Sequence, residues 1–117
     1  MTVELKTKIK PVSVNRRSGL TKNRKRIILS NDYRSVKETL RYDFRSQCLQ
    51  GPVILNECSV EIHTPYRRFD IDAISKIILD AMKGIVYVDD KQVYRLVIER
   101  KIRDDMKIIV MDKEGIE

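Results

Sequence analysis

The chain has 117 residues, a length that fits one compact domain, and no apolar run approaches the roughly 20 residues that a membrane-spanning helix needs. Hydrophobic residues make up 42% and charged residues 35%, a globular composition with a modest core. The net charge of +7 exceeds what solubility requires and points to a polyanionic partner, although charge alone does not separate DNA from RNA or from an anionic membrane surface.

The opening residues, Met1 to Lys6, lack the apolar segment of a secretory signal, so the cytoplasm is the expected compartment. From Thr2 to Lys10, Val3, Leu5, Thr7 and Ile9 alternate with Glu4, Lys6, Lys8 and Lys10. That period of two predicts a half-buried strand with a largely cationic outer face, ended by Pro11. Val12 to Arg26 has no apolar period and crowds together Arg16, Arg17, Lys22, Arg24, Lys25 and Arg26, which reads as a basic loop suited to DNA phosphates. A helix is expected from Asn31 to about Gln50, capped by Ser30 or Asn31. Tyr33, Val36, Leu40 and Phe44 would form its inner face, and Arg34, Lys37, Arg41 and Arg45 an adjoining stripe of one sign. Such a stripe is usually just the wet side of a helix, but its uniform sign also suits phosphate contact.

Gly51-Pro52 breaks that helix, and Val53 to Thr64 reads as a strand. Pro65 to Phe69 is a short turn carrying Arg67 and Arg68. From Asp72 to Met82 the spacing of Ile74, Ile77, Ile78, Ala81 and Met82 predicts an amphipathic helix, with Gly84 as its left-handed cap. Val93 to Lys101 is a strand expected to turn Tyr94, Leu96 and Ile98 inward, and Met106 to Met111 is expected to be its hairpin partner across the Arg103-Asp104-Asp105 turn. Cys48 and Cys58 form no CxxC pair and sit among apolar neighbours, so both are expected as reduced thiols. With no repeat and no linker, residues 1–117 are expected to form a single α+β domain: a mixed, largely antiparallel sheet of about four strands with two helices packed on it.

The chemistry is concentrated between Arg67 and Asp90, in a segment that opens Arg67-Arg68-Phe69-Asp70-Ile71-Asp72. Asp70 and Asp72 flank one residue, so in an extended segment their side chains point the same way. Asp72, Lys76 and Asp80 recur every four residues on the helix face opposite the isoleucines. The pair Asp89-Asp90 comes after a short loop that can return it to the start of that helix or to its flank. Converging carboxylates repel one another unless a cation intervenes, and hard Mg²⁺ favours oxygen donors. Lys76 would stand ready for developing negative charge. Spacing alone equally allows ordinary ion pairs, Asp72 to Lys76 and Lys76 to Asp80, and an Asp-Asp pair serving only a turn. The lone His63, at a strand end, reads as structural or solvated rather than as a catalytic base.

The block resembles the RusA family of Holliday junction resolvases. The match reads Asp70-Ile71-Asp72, Lys76, Asp80-Ala81-Met82, Gly84-Ile85-Val86-Tyr87 and Asp89-Asp90-Lys91-Gln92-Val93, with weaker likeness at Pro11-Val12-Ser13-Val14-Asn15 and from Leu29-Ser30 to Tyr33-Arg34. The resemblance implies a homodimer that binds four-way DNA junctions and makes paired nicks with Mg²⁺ or Mn²⁺. It also implies that Asp70, Asp72 and Asp90 are the catalytic, metal-holding carboxylates and Lys76 the essential lysine. Beside them, Asp89 and Asp80 are candidates for support, and Asp80, facing the same way as Lys76, is suited to positioning it rather than to binding metal. For such a dimer, Phe69, Ile71, Ile74 and the Ile85-Val86-Tyr87-Val88 segment are the candidate apolar contacts. Two positions depart from the family pattern: Ala73 stands where an Asn is usual, and Phe69 where a basic residue is sometimes found. Two other readings explain the charge: a non-catalytic binding module for branched or double-stranded nucleic acid, and an RNA-binding domain. Neither has a use for aspartates placed near phosphates.

Overall fold

The computed structural model describes residues 1–10, 22–66 and 71–113, of which 22–32 and 71 are described by their backbone alone. Its elements in chain order are β1 (Thr2–Thr7), α1 (Lys22–Gln47), β2 (Cys58–Thr64), α2 (Ile71–Met82), β3 (Val93–Arg100) and β4 (Met106–Asp112), with a short 3-10 turn at Asp90–Gln92. The four strands form one mixed sheet in the order β1-β4-β2-β3. This is the expected α+β architecture, two helices on a four-stranded sheet.

Alternation builds the core face of that sheet. Leu5 lies opposite Ile108, which lies opposite Ile62, and Val60 lies between Val110 and Leu96. Leu40 and Phe44 of α1 join Ile74, Ile77, Ile78, Ala81 and Met82 of α2 and the buried strand residues in a single cluster. Burying each such large aliphatic side chain contributes roughly 1.5–3 kcal/mol. Cys48 and Cys58 are free thiols buried within the same cluster.

Strand pairing differs from the expected hairpin. β4 does not pair with β3; it lies between β1 and β2, antiparallel to both, while β3 runs parallel to β2. Parallel neighbours need a long crossover, and α2 supplies it, so β2-α2-β3 is one βαβ unit. β3 therefore ends up at the sheet edge. Tyr94 and Leu96, expected to face inward, are exposed there, while Ile98 is partly buried against the core. The opposite edge is partly closed by a side chain: Gln47 accepts from the Lys6 amide at 2.9 Å and donates to the Lys6 carbonyl at 2.7 Å, imitating strand pairing.

α1 also begins earlier than its apolar period indicates. Lys22, Arg24, Lys25 and Arg26 lie in its first two turns rather than in a loop, so neither Ser30 nor Asn31 is its cap. Lys and Arg are good helix formers, and a lack of apolar residues marks an exposed helix as readily as a loop. Arg16, Arg17, Arg67 and Arg68 lie outside the described residues. β2 starts at Cys58 rather than Val53, because residues before it make only an isolated bridge, Ile54 to Tyr87.

Candidate active site

The inner side of α2 is fixed by its isoleucines, so the opposite side must face outward. Asp72 and Lys76 are exposed on it and Asp80 is half-buried. Steps of four residues make a row rising roughly 6 Å per step, in which Lys76 follows Asp72 and precedes Asp80. The ordinary ion-pair reading is not what forms: among the described residues no ion pair joins Lys76 to Asp72 or Asp80. Instead the Tyr33 hydroxyl of α1 donates to Asp80 Oδ2, and Lys76 Nζ stands over the Tyr33 ring, 5.9 Å from its centroid. Lys37 Nζ lies 5.7 Å from the same centroid. Burial and the Asp80 carboxylate both push the Tyr33 phenol up, so it remains a protonated donor.

The stripe of cations expected on α1 is divided by these contacts. Arg41 is turned onto the C-terminal end of α2, where Nη1 donates to the Lys83 carbonyl at 2.7 Å and to the Ala81 carbonyl at 3.4 Å. A guanidinium there satisfies carbonyls the helix leaves unpaired and opposes its dipole. Arg41 is thus a helix cap, while Arg34 and Arg45 remain exposed.

Beyond α2 the chain reverses at Gly84, whose φ of 78° is the expected left-handed conformation. The Gly84 amide donates to the Tyr87 carbonyl at 2.7 Å, and the buried Tyr87 hydroxyl donates to the Leu79 carbonyl at 2.7 Å. Ile85, Val86 and Tyr87 are all core, as is Ile74, so these residues cannot form the partner-facing apolar patch expected of them. Gln92 then sets the next turn. Its Oε1 accepts from the amides of Val88 and Asp89 at 2.9 and 3.0 Å, and its Nε2 donates to the carbonyls of Ile54 and Asn56 at 2.9 and 3.0 Å. Both ends of one amide side chain thereby lock the backbone on which Asp89 and Asp90 sit.

The turn brings Asp89-Asp90 to the flank of α2, beside its C-terminal half. Asp89 lies 3.9 Å from Lys83 Nζ, and Asp90 feels the charge of Asp80. The Asp89 carboxylate caps the 3-10 turn, and the Lys91 amide donating to it holds its pKa down. Asp90 is pushed the other way: it shares a hydrogen bond with Asp89, loses some solvent, and faces negative charge from Asp89 and Asp80. Asp90 thus feels both Asp89 and Asp80, with Asp72 two turns back along α2. Asp70 lies outside the described residues, and among those described no group of three acidic, histidine or cysteine side chains is close enough to hold one metal ion. The donor chemistry is nevertheless that of a hard cation: oxygen donors only, with like charges crowded at Asp90.

Tyr33 is the residue that sequence reasoning passed over, since its place in the apolar period of α1 marked it as core or rim. The signal that a tyrosine is not merely core is its hydroxyl, which needs a partner when half-buried. His63 stays on β2, on the sheet face away from the helices, opposite Lys107 and Glu99. No described helix is long and apolar enough to cross a membrane.

A family model described as endodeoxyribonuclease RusA matches residues 8–111, nearly the whole chain. No curated protein matches it.

Proposed function

The chain belongs to the RusA family of endodeoxyribonucleases, and from that premise we propose that it is a Mg²⁺-dependent enzyme that resolves four-way DNA junctions by paired nicks. The observation that carries this reading is the outward-facing acidic row of α2, with Lys76 within it and Asp89-Asp90 held at its flank, in a chain of net charge +7. A pure binding module has no reason to present carboxylates to phosphates.

Asp70, Asp72 and Asp90 would hold the ion, with Mn²⁺ as a substitute, and Asp80 and Asp89 would support them. When bound, such an ion polarises the phosphodiester and acidifies a water. Lys76 contributes a fixed positive charge where the phosphoryl oxygens become more negative. Incubating a labelled four-way junction with the protein and Mg²⁺, then resolving products on a denaturing gel, tests the proposal directly. Symmetrically placed nicks in opposing strands are expected; junction bound but left intact with both Mg²⁺ and Mn²⁺ would instead make the protein a binding module.

The basic residues supply affinity in this scheme: Arg16, Arg17, Lys22, Arg24, Lys25 and Arg26, with Arg67 and Arg68 nearer the acidic row in sequence. Each phosphate neutralised steepens the fall of log K with log salt by about 0.9 on duplex DNA. Replacing Arg16, Arg17, Lys25 and Arg26 together by Ala is expected to flatten that slope on duplex and junction alike. An unchanged slope in a binding titration would place these residues away from DNA.

The working unit is proposed to be a homodimer. A junction presents two related strands for cutting, and one chain carries one acidic row; a two-fold dimer supplies two rows related as the targets are. With the Ile85–Tyr87 segment used up in the core and Phe69 outside the described residues, one apolar surface open to a partner among the described residues is the β3 edge, where Tyr94 and Leu96 are exposed. Mixed dimers of active and Asp72→Asn subunits are expected to nick one strand and rarely resolve a plasmid-borne junction. Full resolution by a species that sediments as a monomer on DNA would remove the dimer from the mechanism.

A further inference from the structure

The Lys76 ammonium has no carboxylate partner among the described residues, yet it is not unsupported. Its neighbour is the face of Tyr33, an attraction that is electrostatic and needs no shared proton. The ring itself is anchored, because the Tyr33 hydroxyl donates to Asp80, one helical turn beyond Lys76 on α2. Hydrogen bonding to an anion also pushes electron density into a phenol ring, which strengthens its hold on a cation. About two turns further along α1, Arg41 ties the two helices together by donating to the last carbonyls of α2. Tyr33 therefore sits on a helix whose distance from α2 is set independently of its own contacts.

We propose that Tyr33 is the positioning residue for Lys76: its ring holds the ammonium over the outer face of α2, and Asp80 acts through Tyr33 rather than as an ion-pair partner of Lys76. The inference rests on the nuclease reading only for its effect on rate. The arrangement has a chemical advantage over an ion pair. A carboxylate touching Lys76 would neutralise the charge that the reaction needs, whereas an aromatic face fixes the ammonium and leaves its three N–H donors and its full charge for a phosphate. The Lys37 ammonium also lies near this ring, 5.7 Å from its centroid.

The test combines single-turnover cutting of a four-way junction with an NMR readout that needs no activity. Tyr33→Leu is expected to slow cutting by about twofold to thirtyfold, the range of exposed to desolvated cation–ring attraction, while junction affinity holds. Tyr33→Phe keeps the ring but loses its anchor on Asp80, so it should recover only part of that loss. On a Lys76→Ala background, Tyr33→Leu should cost nothing further, because its effect runs through the lysine; an additional loss of similar size would mean a general structural role and overturn the proposal. Independently, the ε-methylene protons of Lys76 should show an upfield ring-current displacement in the free protein that disappears in Tyr33→Leu and persists in Tyr33→Phe. Its absence from the wild type overturns the proposal. If the wild type cuts no junction but shows that displacement, the nuclease reading fails and the positioning contact stands.

Discussion

Changing Asp70, Asp72 or Asp90 singly to Asn is expected to abolish junction cutting while junction binding survives or tightens. Asn is nearly isosteric with Asp but offers a hard cation one weaker neutral oxygen in place of a charged pair. Affinity should move the other way, since each substitution removes a negative charge that faces the DNA backbone. Rate and binding thus separate, and a loss of both together would indicate unfolding rather than a missing ligand. The fold allows a sharp comparison within the row. Asp90 hydrogen-bonds Asp89 and feels the charge of Asp80, while Asp72 lies two turns back on α2. With Asp72 as a ligand, Asp72→Asn is far more damaging than Asp80→Asn. The reverse order, with Asp80→Asn and Asp89→Asn inactive and Asp72→Asn nearly silent, would move the ion to the C-terminal flank of the helix. Single-turnover rates across a Mg²⁺ titration decide between these positions.

Some of this geometry is written in local pattern and some is not. The isoleucines of α2 repeat with the helical period, and Gly84 stands where a left-handed residue is needed, so the helix and the outward direction of Asp72, Lys76 and Asp80 are legible from the chain. The order of strands is not. A short turn between Arg100 and Met106 suggests a hairpin, but β4 finds its partners in β1 and β2, and no local signal encodes a strand inserted from far away in the chain. The start of α1 is hidden for a different reason, since an exposed basic helix has no apolar face to reveal its period. The surroundings of Lys76 are hidden most completely. Spacing of four proposes ion pairs within α2, whereas the contact that forms comes from Tyr33, on another helix. Gln92 is an intermediate case: its place two residues after Asp90 is visible, but its four hydrogen bonds to backbone appear only when the segments before β2 and β3 are side by side.

Replacing Lys76 by Met is expected to lower the single-turnover cutting rate by on the order of 10²–10³, the usual cost of losing one preorganised charge contact to a transition state. Junction affinity should change little, because one exposed ammonium among the chain's 24 Lys and Arg residues is a minor part of the total attraction to DNA. An interaction made chiefly in the transition state lowers rate without a matching loss of ground-state binding, and that separation is the diagnostic feature. Met keeps the length of the aliphatic stem and still packs on the Tyr33 ring, so α2 and α1 should stay in register and the melting temperature should hardly move. Lys76→Arg provides the complementary variant: it restores charge but spreads it over a planar fork that the ring cannot seat in the same place, so recovery should be partial. Equal losses of rate and affinity in Lys76→Met, with full recovery in Lys76→Arg, would reduce Lys76 to one more phosphate contact.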